Sequence, residues 1–215
     1  DGNDPVMMLC DYAMKMGLYA LTITDHCECN MYEERNYAKA IKDSFVETKR
    51  AAAALNGKLH LYKGIELGQA TQNLQAAESI LAECDFDFVL GSLHNIRGLE
   101  DFYLLDYNKL DIHDLLCTYF DEIMELIAWG KFDSLTHLTY PLRYIVGEQH
   151  REVSYEVYKD RVDDILKALI DQNKALELNT SGLRQAIGKT MPCPTVIKRF
   201  KELGGKYLTI GSDAH

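Results

Sequence analysis

Nothing in this chain of 215 residues is apolar for long enough to cross a bilayer, and its start lacks the pattern of a signal peptide. A membrane role is therefore not expected, and the chain reads as cytoplasmic. A basic surplus is missing too: 23 Lys and Arg face 33 Asp and Glu, a formal net charge of −10. Nucleic-acid binders ordinarily carry a basic face, so the balance argues against DNA or RNA as the main partner. Bound divalent cations would offset part of that surplus locally, and room remains for a small phosphorylated substrate. The six cysteines contain no Cys-x-x-Cys pair and no disulfide-framework spacing. Reduced thiols fit the cytoplasm. Cys10, Cys84 and Cys117 fall on apolar faces of predicted helices and read as small core hydrophobes. Cys27 and Cys29, flanking Glu28, read as reduced loop cysteines, with a thiolate ligand as the alternative. No low-complexity linker or shift in composition divides the chain, so residues 1–215 read as one domain. Its 47% hydrophobic and 26% charged content is that of a soluble globular protein.

What is present is an alternation of two periodicities. Short runs rich in branched and aromatic residues predict strands at Leu18–Thr24, Leu59–Ile65, Phe86–Leu90, Ser134–Leu138, Ala175–Leu178 and Tyr207–Ile210. Between them, helical spacing of apolar residues predicts helices at Val6–Met16, Tyr32–Leu55, Asn73–Glu83, Asp111–Trp129, Glu152–Asn173 and Pro194–Leu203. Strands alternating with helices call for a parallel sheet with helical crossovers, either open and doubly wound or closed as a barrel. The chain opens on a helix without a preceding strand and closes on a strand without a following helix, so the barrel is expected to continue at both ends.

The strand ends carry the chemistry. Asp25-His26, Glu66, His94, His137, Asn179 and Asp213-Ala214-His215 stand at or just after the C-terminal ends of these strands. In a parallel barrel those ends converge on one face, where active sites of such folds lie. That convergence favours the barrel over the open sheet, whose site gathers at one switch point. Imidazole and carboxylate together are the ligand set of hydrolytic zinc, manganese and iron sites. His26 is the expected ligand of its pair, with Asp25 orienting a neighbour. Glu66, between Gly64 and Gly68, is placed to bridge two cations. Asp213 and His215, two apart in an extended segment, would point the same way. His60, His113 and His150 read as ordinary structural histidines. Arg97, Arg143 and Arg184 each follow a site strand, and a guanidinium fork matches phosphate oxygens.

In this order, Ile23-Thr24-Asp25-His26, Gly64-Ile65-Glu66, Gly91-Ser92-Leu93-His94, Thr136-His137, Glu177-Leu178-Asn179-Thr180-Ser181-Gly182 and Gly211-Ser212-Asp213-Ala214-His215 resemble successive motifs of the PHP (polymerase and histidinol phosphatase) superfamily. Thr136 to Tyr144 and Leu176 to Arg184 are similar to its stand-alone histidinol-phosphate phosphatases. The resemblance implies a distorted (β/α)7 TIM-like barrel, truncated at both ends in this sequence, with two or three divalent metal ions (Zn, Mn or Fe). It implies Asp1, His26, Glu66, His94, His137, Asp213 and His215 as metal ligands, Asp1 because Asp1-Gly2 matches the end of the family's first motif. The His-x-His pair of that motif does not occur here. The function implied is metal-dependent hydrolysis of L-histidinol phosphate in histidine biosynthesis. Glu66, His215 and Arg184 would act in catalysis, and Arg184, Arg97, Arg143 and Asn179 would hold the substrate. The alternatives are a phosphodiesterase or 3′–5′ exonuclease of the same superfamily, and a non-catalytic metal-binding or regulatory domain.

Overall fold

Seven short strands and six helices alternate along the computed structural model, which describes residues 2–215. Two units divide it, one running to Gly91 with Ala214–His215 added, the other from Ser92 to Asp213.

In the first unit, α1 (Val6–Lys15), β1 (Ala20–Ile23), β2 (His26–Glu28), α2 (Tyr37–Leu55), β3 (His60–Gly68), α3 (Leu74–Glu83) and β4 (Phe88–Ser92) follow one another. The nine-residue β3 is the spine: β1 pairs in parallel with its first half, Ala20 against His60 to Ile23 against Lys63, and β2 with its second half. The expected first strand, Leu18–Thr24, is thus shortened to β1, and β2 follows beyond Thr24-Asp25 as a strand that was not expected. The expected helix from Tyr32 begins only at Tyr37, because Asn36 takes a left-handed φ of 51°. Val6, Cys10 and Ala13 of α1 pack on Ala51 and Leu55 of α2 and on Leu59 and Leu61. The Asn73 side chain caps α3 by accepting the Ala76 N–H at 3.1 Å.

In the second unit, α4 (Ile112–Trp129), β5 (Ser134–Leu135), α5 (Tyr155–Asp171), β6 (Ala175–Asn179), α6 (Pro194–Glu202) and β7 (Leu208–Gly211) run in order, with β5, β6 and β7 adjacent and parallel. Asp111 starts α4 by accepting the N–H groups of His113 and Asp114 at 2.8 and 3.0 Å, and Gly130 ends it at φ 72°. The buried stripe of α4 (Leu115, Leu116, Tyr119, Phe120, Ile123, Leu126, Ile127) packs with Val162, Ile165, Leu166 and Leu169 of α5. Met124 of the same helix is exposed and Leu126 is buried. Cys117, expected in the core, is only half-buried, with its Sγ 3.6 Å from His113 Nε2. Among the described residues, no helix is long and apolar enough to cross a membrane.

A candidate metal centre

In the first unit the parallel register of β2 and β3 builds the site. His26 stands opposite Glu66 and Glu28 opposite Gly68. Register partners on neighbouring strands present their side chains to the same face, and so His26 Nε2 comes within 3.8 Å of Glu66 Oε2. The other ring nitrogen, Nδ1, is 3.3 Å from Glu28 Oε1. The His215 ring lies 5.2 Å from that of His26. Ligand atoms of His26 lie within 4.8 Å of one on Glu66 and of one on His215, close enough for a shared ion. Asp25 sits in the break between the strands, accepting the Ser44 hydroxyl on its carboxylate and the Glu66 N–H on its carbonyl. Cys27 and Cys29 are fully buried. The neighbouring Cys29 thiol and burial push the Cys27 thiol up, and neither cysteine joins the groups of possible ligands around His26 among the described residues.

In the second unit His94 follows β4 and His137 follows β5, and their Nε2 atoms face each other at 3.2 Å, both rings almost wholly buried. Two imidazoles on one tetrahedral zinc, at about 2.0–2.1 Å each, would hold their nitrogens about 3.3 Å apart. The separation matches a direct N–H···N hydrogen bond between the rings and is also one that two ligands of a single ion would keep. Tyr140 packs against both rings, 4.9 Å from each. Burial, with Tyr144 and Asp101 nearby, holds the Tyr140 phenol well above its ordinary pKa, so it remains a neutral hydrogen-bonding group.

Behind this pair runs a polar chain. Glu177 Oε2 accepts the His137 backbone N–H at 2.8 Å and Asn179 Nδ2 at 3.1 Å. This explains why β5 stops at Leu135 and not at the expected Leu138: the His137 N–H leaves the ladder for a carboxylate. Asn179 Oδ1 accepts the Ser181 N–H at 3.0 Å. Ser181 Oγ lies 2.6 Å from Asn179 Oδ1 and 3.0 Å from Asp213 Oδ2, its single proton serving one of the two. Arg143 donates from one nitrogen to Asp213 Oδ2 at 2.6 Å and to Ser181 Oγ at 2.8 Å, with its guanidinium 4.9 Å from the Tyr140 ring centre. Burial opposes the Arg143 charge, but the Asp213 carboxylate outweighs it and holds the guanidinium's pKa up. Its Nε is buried without an acceptor among the described residues. Arg143 opens a six-residue π-helical turn, Arg143–Glu148, a feature frequent at functional sites.

Of the residues singled out in the sequence, His26, Glu66 and His215 are brought together in the first unit. His94, His137, Asn179, Asp213 and Arg143 are linked in the second. Arg184 is exposed, donating to the Ser212 carbonyl at 2.6 Å, next to Asp213. Arg97 points elsewhere: its guanidinium pairs with Glu125 of α4 at 3.0 Å, with both side chains half exposed. Asp213 does not lie in an extended segment as expected, since β7 ends at Gly211 and Asp213 has φ 48°. Asp1 lies outside the described residues. Sequence reasoning missed Glu28, Glu177 and Ser181; the two-residue spacing of Glu177 and Asn179 on a strand was the signal available for one of them.

The profile of the PHP domain family matches residues 1–181. A protein of Clostridium acetobutylicum named "Probable histidinol-phosphatase" is 30% identical over 198 residues, 91% of this chain and 74% of the relative. The "Histidinol-phosphatase" of Lactococcus lactis is 26% identical over 215 residues, 94% of this chain and 75% of the relative. The crystal structure of histidinol phosphate phosphatase from Lactococcus lactis, complexed with zinc, L-histidinol and phosphate, matches with a TM-score of 0.78 at 23% identity, covering 100% of this chain and 81% of that one. The TIM-like α/β fold expected from the sequence is the fold found.

Proposed function

This chain belongs to the PHP domain family, and from that premise we propose that it is a metal-dependent phosphatase that hydrolyses L-histidinol phosphate to L-histidinol and phosphate. The observation that carries the reading is the buried His94–His137 pair, whose nitrogens stand at a separation two ligands of one cation would keep, in a chain whose relatives are named histidinol-phosphatases. The proposed ligands are His26, Glu66 and His215 of the first unit and His94, His137 and Asp213 of the second, with Asp1 added by its place in the family motif. They would hold two or three divalent ions of the zinc, manganese or iron type. Such ions supply Lewis acidity toward phosphoryl oxygens and lower the pKa of water. In this proposal residues 1–215 act as one catalytic domain, the family match running unbroken across both units to residue 181.

The protein's own groups have separable tasks. Glu66 presents a buried carboxylate toward His26 and fixes that end of the ligand set. Arg143 holds Asp213 from one nitrogen and keeps a buried Nε–H for an oxygen of the substrate phosphate. Arg184 and Asn179 complete the phosphate's surroundings, while Arg97, occupied by Glu125, contributes less. His215 is exposed beside His26, and in this reading the ring nitrogen not used as a ligand would pass a proton to the leaving alkoxide. The enzyme acts in the cytoplasm, in amino-acid biosynthesis.

Phosphate release from L-histidinol phosphate, an aryl phosphate and single-stranded DNA, before and after chelation and zinc refilling, tests this reading. We expect selective, zinc-restored turnover of histidinol phosphate, and loss of both metal and activity in Glu66→Ala. Nucleotide release from DNA in place of phosphate release would favour the exonuclease, and zinc binding without any turnover a regulatory domain.

A further inference from the structure

We propose that Glu28 is the positioning residue for His26, and that Gly68 exists to seat its carboxylate. The inference rests on the reading of His26 as a metal ligand. His26 shows its two ring nitrogens to two carboxylates: Nε2 to Glu66 at 3.8 Å and Nδ1 to Glu28 at 3.3 Å. An ionised carboxylate can only accept, so Glu28 selects the tautomer protonated at Nδ1. That leaves the Nε2 lone pair directed to the Glu66 side, where a cation would sit. A carboxylate behind a ligating imidazole fixes the ring's orientation and raises its basicity.

Gly68 makes this contact sterically open. It is the register partner of Glu28 on β3, two residues beyond Glu66. A Cβ at position 68 would lie 2.2 Å from Glu28 Oε2 and 2.8 Å from its Cδ. Any other residue there would expel the carboxylate from its place beside His26. Gly68 does not adopt a positive φ, so the restriction is one of side-chain room and not of backbone conformation. The strand order His26-Cys27-Glu28 thus carries both the ligand and its orienting group on one face of β2, with the intervening Cys27 fully buried.

The test is zinc affinity of the full chain, measured by competition with a chromophoric chelator after metal depletion, beside the His26 tautomer read by nitrogen-15 NMR. Glu28→Ala should weaken zinc binding about ten- to a hundred-fold and remove the Nδ1–H tautomer preference. Glu28→Gln should lose less, because its amide oxygen still accepts from Nδ1. Gly68→Ala should reproduce Glu28→Ala, and the double variant should be no weaker than Glu28→Ala alone, since both act through one contact. Wild-type affinity and tautomer in Glu28→Ala would overturn the proposal, as would a Gly68→Ala loss that adds in full to that of Glu28→Ala. If Gly68→Ala fails to fold, Glu28→Ala and Glu28→Gln decide by tautomer alone. A wild-type protein that binds no zinc would remove the ligand reading of His26 and this inference with it. Zinc binding indifferent to Glu28 would remove only the inference.

Discussion

Replacing Glu177 by alanine should destabilise the second unit more than any surface substitution. The Glu177 side chain is 3% exposed, and one oxygen, Oε2, accepts both the His137 backbone N–H at 2.8 Å and Asn179 Nδ2 at 3.1 Å. Alanine leaves both donors buried without that acceptor, each costing about 1–3 kcal/mol. Relief from desolvating the carboxylate and entry of water trim the total, leaving an expected loss of about 2 kcal/mol or more. Glu177→Gln keeps a carbonyl oxygen that can take the place of Oε2 for both donors, and should cost about 1 kcal/mol or less. Gly211 provides an independent handle, because a Cβ there would lie 1.9 Å from Glu177 Oε1 and 2.6 Å from its Cδ. Gly211→Ala should therefore match Glu177→Ala, and should cost little further once Glu177 is already alanine. Urea unfolding followed by circular dichroism, with linear extrapolation at constant slope, measures these differences. A Glu177→Ala protein within about 0.5 kcal/mol of wild type, or one less stable by the same amount as Glu177→Gln, would refute the reasoning.

Two further outcomes are expected. Arg184→Ala should raise KM for histidinol phosphate while leaving zinc content intact, lowering kcat/KM roughly ten- to a hundred-fold for a lost charge-assisted contact; steady-state kinetics with metal analysis checks it, and unchanged kcat/KM would move the phosphate contact to Arg143 alone. Arg199 holds Asp163 through two bonds, at 2.8 and 2.5 Å, and the Arg199 contact, against burial, lowers the Asp163 pKa. A lowered folded-state pKa stabilises above the unfolded value of about 3.9 and is lost as pH falls through the folded one. Arg199→Leu should therefore lower Tm at neutral pH by a margin that shrinks in acid, and a margin constant from pH 7 to pH 2 would exclude this ion pair as its source.

Much of this was legible because strand period and helix period leave different marks. Strand β6 with Asn179 at its end, strand β3 carrying Glu66, and helix α4 with its Asp111 cap all stand within a few residues of where the pattern of apolar residues places them. What escaped was what depends on register and on local backbone. The three-residue β2 is too short to show a period, and only its pairing with β3 makes it a strand. The left-handed Asp213 breaks the extended run that the alternation around Leu208–Ile210 suggests, and its neighbours Arg143 and Ser181 bond the carboxylate in that conformation. Arg97 follows its strand as Arg143 does, yet meets Glu125 because α4 presents an acid there. Sequence distance from a strand end could not separate the two arginines; their surroundings do.

The same arrangement occurs in both units and shows why these glycines matter. Glu28 lies over its direct partner Gly68, while Glu177, paired with Thr209, leans one step along the ladder over Gly211, the partner of Asn179. Neither glycine has a positive φ, so alanine meets no backbone penalty at either position, and the obstacle is a carboxylate already occupying the space. Burying those carboxylates has a desolvation cost, and each is directed at a histidine: Glu28 at the His26 ring, Glu177 at the His137 backbone. A substitution at Gly68 or Gly211 should accordingly act on the histidine and not on the strand. Strand pairing would survive it, and the ligand's position would not.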